Sequence, residues 1–125
     1  MDDLNFQKNG ITKAEKEFAK LKITTEQRFI VEALSKALIQ HIPISLLGMQ
    51  GFLYRAVVDW QKVNKKNATE IALMSPEQRI KSVTQIFNFL KQQLIPVLIN
   101  KKEKYKIDEA MQEVLKFYKK NFAYR

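Results

Sequence analysis

The chain has 125 residues, a formal net charge of +9, no cysteine, and only three glycines and three prolines. That length bounds one domain with one core. The missing cysteine excludes disulfides, thiolate metal sites and a cysteine nucleophile, and so few breakers argue against a loop-rich or disordered chain.

The first eleven residues read as a tail or cap, acidic at Asp2 and Asp3 where a secretory leader would be basic; with the lack of cysteine this points to the cytoplasm. Thr12 and Glu15 make a T-x-x-E capping pattern that opens a helix over about 12–22, with Ala14, Phe18 and Leu21 as its stripe. So short a helix must lean on the rest of the fold. Thr24 and Gln27 open a second helix over about 25–41, in which Ile30, Leu34, Leu38 and His41 fall on one face, and Pro43 stops it.

Ser45 starts a third helix over about 45–64. Met49, Leu53, Val57 and Trp60 lie on one broad arc, and Leu47, Tyr54 and Val58 form a second ridge nearly opposite. Only Gly48, Arg55, Asp59 and Lys62 are left as a polar strip, so this helix is expected to be the buried spine of the core. It lies partly within the longest uncharged run, Ala37 to Tyr54, which polar residues, glycines and Pro43 interrupt; the run reads as core, with no transmembrane segment expected. Asn67 and Glu70 cap a short helix over about 68–74. Ser75-Pro76-Glu77-Gln78 is the clearest start signal in the chain and opens a helix over about 76–100 with Ile80, Val83, Phe87, Leu90 and Leu94 in register; Pro96 kinks or ends it. A lysine-rich turn, Lys101 to Lys106, then leads to Asp108 as the cap of a last helix over about 108–123, striped by Met111, Val114, Tyr118 and Phe122. Short turns between four long amphipathic helices imply an all-α fold, an up-down bundle of four main helices plus one or two short ones, spanning residues 1–125 as a single helical domain.

Chemistry is sparse in this pattern. His41 is the only histidine, and it has no companion at metal-ligand spacing; phosphate-loop, dinucleotide and serine-elbow motifs are missing. No catalytic residue, cofactor or metal is expected. The G-x-x-G of Gly48 and Gly51 lacks the flanking strands of a nucleic-acid clamp and reads as a place where helices approach closely.

Two binding classes follow. Phe89 points away from its helix's stripe, among Ser82, Gln85 and Gln93, and Phe117 and Tyr124 share one flank of the last helix. With Tyr54 they are candidate anchors for a protein partner or a second copy of the chain, as in an inhibitor, an adaptor or a small subunit. The alternative rests on charge. Residues 61–125 hold fourteen Lys/Arg against six Asp/Glu, and an up-down bundle gathers Lys62, Lys65, Lys66, Lys119, Lys120 and Arg125 at one end. That pole is a candidate nucleic-acid backbone site, diluted by Glu26, Glu70 and Glu77.

Overall fold

Capping side chains set the starts of four helices. The computed structural model describes residues 13–124, and these residues form six helices and no strand: α1 (13–20), α2 (Thr25–Leu38), α3 (Leu46–Val63), α4 (Ala68–Ala72), α5 (Pro76–Leu94) and α6 (Lys104–Tyr118). The expected tail, the Thr12 cap and Arg125 lie outside the described residues. Thr24, Asn67 and Ser75 each accept a bond from the backbone three residues on and receive the reciprocal side chain, from Gln27, Glu70 and Gln78. Two orphan donors at each helix start are thereby satisfied. Ser45 caps α3 through the Gly48 N–H.

α2 packs against α3 and α6, and α5 packs against the same two helices. The four long helices therefore form the antiparallel square of an up-down bundle. Its core is built from Val31, Leu34 and Leu38 on α2, Met49, Leu53 and Val57 on α3, Val83, Phe87 and Leu90 on α5, and Ile107, Met111 and Tyr118 on α6. Each of the larger apolar groups contributes roughly 1.5–3 kcal/mol of burial. No helix among the described residues is long and apolar enough to cross a membrane.

α3 is not the lone spine that its composition suggests, because the four helices share the core. Its second ridge is apolar for another reason: α1 lies over it. The Phe18 ring sits 4.8 Å from that of Tyr54, and Leu21 and Val58 line the same hollow. Arg28 of α2 holds α1 from the other side, donating to the carbonyls of Phe18, Ala19 and Leu21 at 2.8, 3.2 and 2.6 Å. The guanidinium thus satisfies carbonyls that a free helix end would leave to water.

Other boundaries move from their expected positions. α2 stops at Leu38, so His41 lies in the turn, not on a helix face. α5 gives way after Leu94 to a 3₁₀ turn, Ile95–Val97, containing Pro96. The last helix starts earlier than Asp108: Asn100 accepts the Lys102 N–H, a 3₁₀ turn follows over Lys101–Glu103, and α6 begins at Lys104. Asp108 is inside α6 and pairs with Lys91 of α5 at 2.6 Å. Ser82, expected on the polar face of α5, is buried and bonds the Arg79 carbonyl at 2.7 Å. Neither glycine of the G-x-x-G motif marks an obligatory close approach of helices. A Cβ on Gly51 would meet Phe18 at 3.8 Å, an ordinary contact, and one on Gly48 would crowd only Ile44 and Ser45.

α3 ends in a Schellman turn. Lys66 N–H bonds the Gln61 carbonyl, Lys65 N–H bonds the Lys62 carbonyl, and Lys65 takes φ 53°. Glycine is the low-cost residue at that position, because a Cβ in the left-handed region costs about 1–2 kcal/mol. Replacing Lys65→Gly is expected to stabilise the protein by about 1 kcal/mol in urea unfolding. Replacing Arg28→Ala is expected to free α1 while the bundle persists, so that amide protection over residues 16–20 falls by roughly tenfold or more in hydrogen exchange and protection of α2, α3, α5 and α6 does not.

Candidate functional site

The four aromatic residues expected to anchor a partner do not share a surface. Tyr54 is buried beneath α1, which corrects its reading as an anchor: the ridge that carries it serves to dock α1. Phe117 is half exposed, yet its ring stacks on Phe29 of α2 at 5.2 Å, and Phe29 in turn meets Phe122 at 4.9 Å. That ring seals the α2–α6 seam. Tyr124 is exposed beside Leu115, Lys116, Lys119 and Lys120, on α6 and the π-helical turn Lys119–Ala123 that continues it. Phe89 is 51% exposed and stands on a different face, the seam between α3 and α5.

That seam carries two apolar hollows in line. One, of about 170 Å³, is lined by Ala56, Asp59, Trp60 and Val63 of α3, by Asn64 after it and by Ile86 and Phe89 of α5. The other, of about 440 Å³, lies toward the opposite end of the bundle between Met49 and Phe52 of α3, Gln93 and Leu94 of α5, and the turns that hold Ile44 and Val97. Their lining residues advance by three or four along both helices, the spacing of a single helix face. From Met49 to Val63 that face is about 21 Å long at 1.5 Å per residue. Val63 is 80% exposed and Val97 48% exposed.

The α5 side of the rim is almost free of charge, while on the α3 side Asp59 lines the first hollow. From Thr84 to Val97 the outward positions are Gln85, Asn88, Phe89, Gln92, Gln93, Pro96 and Val97. The one charged residue in that stretch, Lys91, is drawn to α6 by Asp108. Gln85 accepts the Trp60 indole N–H at 3.0 Å, which fixes the indole at the floor of the seam. The second hollow escapes the sequence pattern because its walls come from turns at Ile42–Ile44 and Ile95–Val97, some fifty residues apart. Apolar residues in turns, Ile42, Ile44 and Val97, are its signal in the sequence.

The lysines expected to form one pole fall around two hollows. Lys62, Lys65 and Lys66 surround one with Lys22, and Lys119 and Lys120 border the other with Tyr124. Both hollows are at the same end of the bundle. Gln61 near the end of α3 bonds Gln27 near the start of α2 at 3.3 Å, and Tyr118 at the end of α6 reaches Glu26 at 3.1 Å.

The polar groups inside the fold bind each other. Arg79 of α5 donates to both oxygens of Glu26, at 2.6 and 2.9 Å, and Tyr118 OH donates to the same carboxylate. His41 Nδ1 stands 3.6 Å from the Glu103 carboxylate, which also faces Lys106 at 3.7 Å. Among the described residues no group of three or more His, Cys, Asp or Glu side chains is disposed to hold a metal ion. Comparison with family models, curated proteins and solved structures returned no match to this chain.

Burial, and after it the negative charge of Glu26, pushes the Tyr118 phenol well above its ordinary value of 10.0. The unfolded chain ionises this group near pH 10 and the folded chain does not, so its contribution is complete below that pH and is lost as pH rises beyond it. Tyr118→Phe is expected to weaken the protein at pH 8, where the bond to Glu26 is lost. Between about pH 10 and 11 its stability is expected to fall less steeply than that of the parent, by about 1 kcal/mol per pH unit in urea midpoints.

Proposed function

We propose that this protein is a non-catalytic helical binding module whose α3–α5 seam receives an amphipathic helix of a protein partner. The observation that carries the reading is the pairing of an exposed apolar strip with uncharged amides along α5, and a single carboxylate, Asp59, on the α3 side, in a chain of net charge +9. Interface centres are depleted of charge and enriched in aromatic residues, and a half-exposed ring beside a hollow supplies both a knob and a hole. Two antiparallel helices leave a straight groove between them. A helix of about fourteen residues, with apolar groups at i, i+3, i+4 and i+7, matches its length.

Amides suit such a rim, since each offers both a donor and an acceptor and carries no charge to be desolvated. The internal pairing of Glu26 with Arg79 and of His41 with Glu103 supports the non-catalytic part of the reading: these groups serve packing and register.

Phe89→Ser tests the reading. The ring is half exposed, so the substitution is expected to cost no more than about 1 kcal/mol of stability while removing the anchor. Affinity purification from the native cell, parent against variant, is expected to lose at least one stoichiometric protein in the variant. A synthetic helix taken from that protein should bind the parent and not Phe89→Ser. Recovery of the same proteins with both chains would overturn the assignment, as would unfolding of Phe89→Ser, which would make the ring part of the core.

A further inference from the structure

At the end of the bundle where α3 stops, four lysines converge. Lys22 precedes α2, Lys62 occupies the last turn of α3, and Lys65 and Lys66 form the turn that follows; together they line an open hollow of about 360 Å³. Among the described residues, none of the four takes part in an ion pair, whereas Arg79, Lys91 and Lys106 each do. The one carboxylate on the hollow, Glu70, is turned to the Asn67 backbone N–H at 3.1 Å as part of the α4 cap. Glu26, which dilutes this pole in the sequence, is neutralised by Arg79. That pair is neutral as a whole and neither adds to nor offsets the charge of the four lysines.

The kind of anion follows from the donors. An ammonium group is a compact point charge that meets phosphate oxygens from many directions, and it lacks the planar fork that favours carboxylates. The hollow is open at the surface, which suits a chain of phosphates passing across it better than an enclosed monophosphate. Its other walls are Val58, Gln61 and Asn67, with no ring on which a base could stack. Contacts of this type hold the backbone and read no sequence.

We propose that Lys22, Lys62, Lys65 and Lys66 form a site for the phosphate backbone of a nucleic acid, bound without sequence preference and independently of the α3–α5 seam. The test is fluorescence anisotropy with a labelled 20-nucleotide oligothymidylate between 50 and 200 mM NaCl. Four contacts to a single strand predict a slope of log K against log salt of about −3, falling to about −1.5 in Lys62→Gln/Lys66→Gln. The control, Lys102→Gln/Lys104→Gln, removes the same charge at the opposite end and is expected to leave the slope unchanged.

Lys65→Gly supplies a second arm. Its binding should weaken while its resistance to urea rises, so unfolding does not account for the loss. Equal losses in the site and control variants would reduce the effect to net charge and overturn the site. No binding at 50 mM salt, or binding of inorganic polyphosphate without binding of the oligonucleotide, would overturn the nucleic-acid assignment. Phe89→Ser should bind the oligonucleotide as the parent does, so this result stands or falls apart from the reading of the seam.

Discussion

The meeting of Glu26, Arg79 and Tyr118 fixes how three of the four long helices end relative to one another. Glu26 lies in the first turn of α2, Arg79 in the first turn of α5 and Tyr118 in the last turn of α6, and all three side chains are largely shielded from water. Apolar stripes alone allow neighbouring helices to slide by a turn at small cost, because one leucine replaces another. A shielded carboxylate that loses its guanidinium is far more costly, so the pair penalises every register but one. It does so at some expense, since Arg79 Nε is buried without a hydrogen-bond partner among the described residues.

This one constraint shapes both surfaces. With α2, α5 and α6 in register, α5 presents Phe89 and its amides along α3, and Trp60 finds Gln85 across the seam. The same pairing sets Glu26 against Arg79 and not against the lysines at this end. The far end is arranged differently: Lys91 meets Asp108 and Lys106 meets Glu103, so several of its cations are tied to the fold itself.

Local signals in the chain were sufficient for much of this. The capping pairs Thr24/Gln27, Asn67/Glu70 and Ser75/Gln78 form as their spacing implies, and the strip of Arg55 and Asp59 is exposed, with an i, i+4 contact of 4.0 Å. The outward direction of Phe89 is likewise a matter of angle along one helix. What escapes is whatever depends on a distant segment. Tyr54 is covered only because Arg28 and Phe18 hold α1 against α3, and Phe117 is spent on Phe29, 88 positions earlier. The lysines that follow Asn100 give the beginning of α6 the look of a turn, and Asp108 the look of its cap.

Lys65 shows why the charge at this pole is hard to explain by folding alone. The C-terminus of a helix carries about half a negative elementary charge, and one cation in the last turn is enough to answer it. Lys62 already occupies that turn. Lys65 adds a second positive charge in a backbone conformation that glycine adopts at less cost, and Lys66 adds a third beside it. Neither stability nor helix electrostatics calls for that choice, and mutual repulsion among the three opposes it. A bound polyanion would offset the repulsion by its attraction to all three charges and give the left-handed lysine a use, placing stability and binding in opposition at a single residue, as is common where a surface is kept for a ligand.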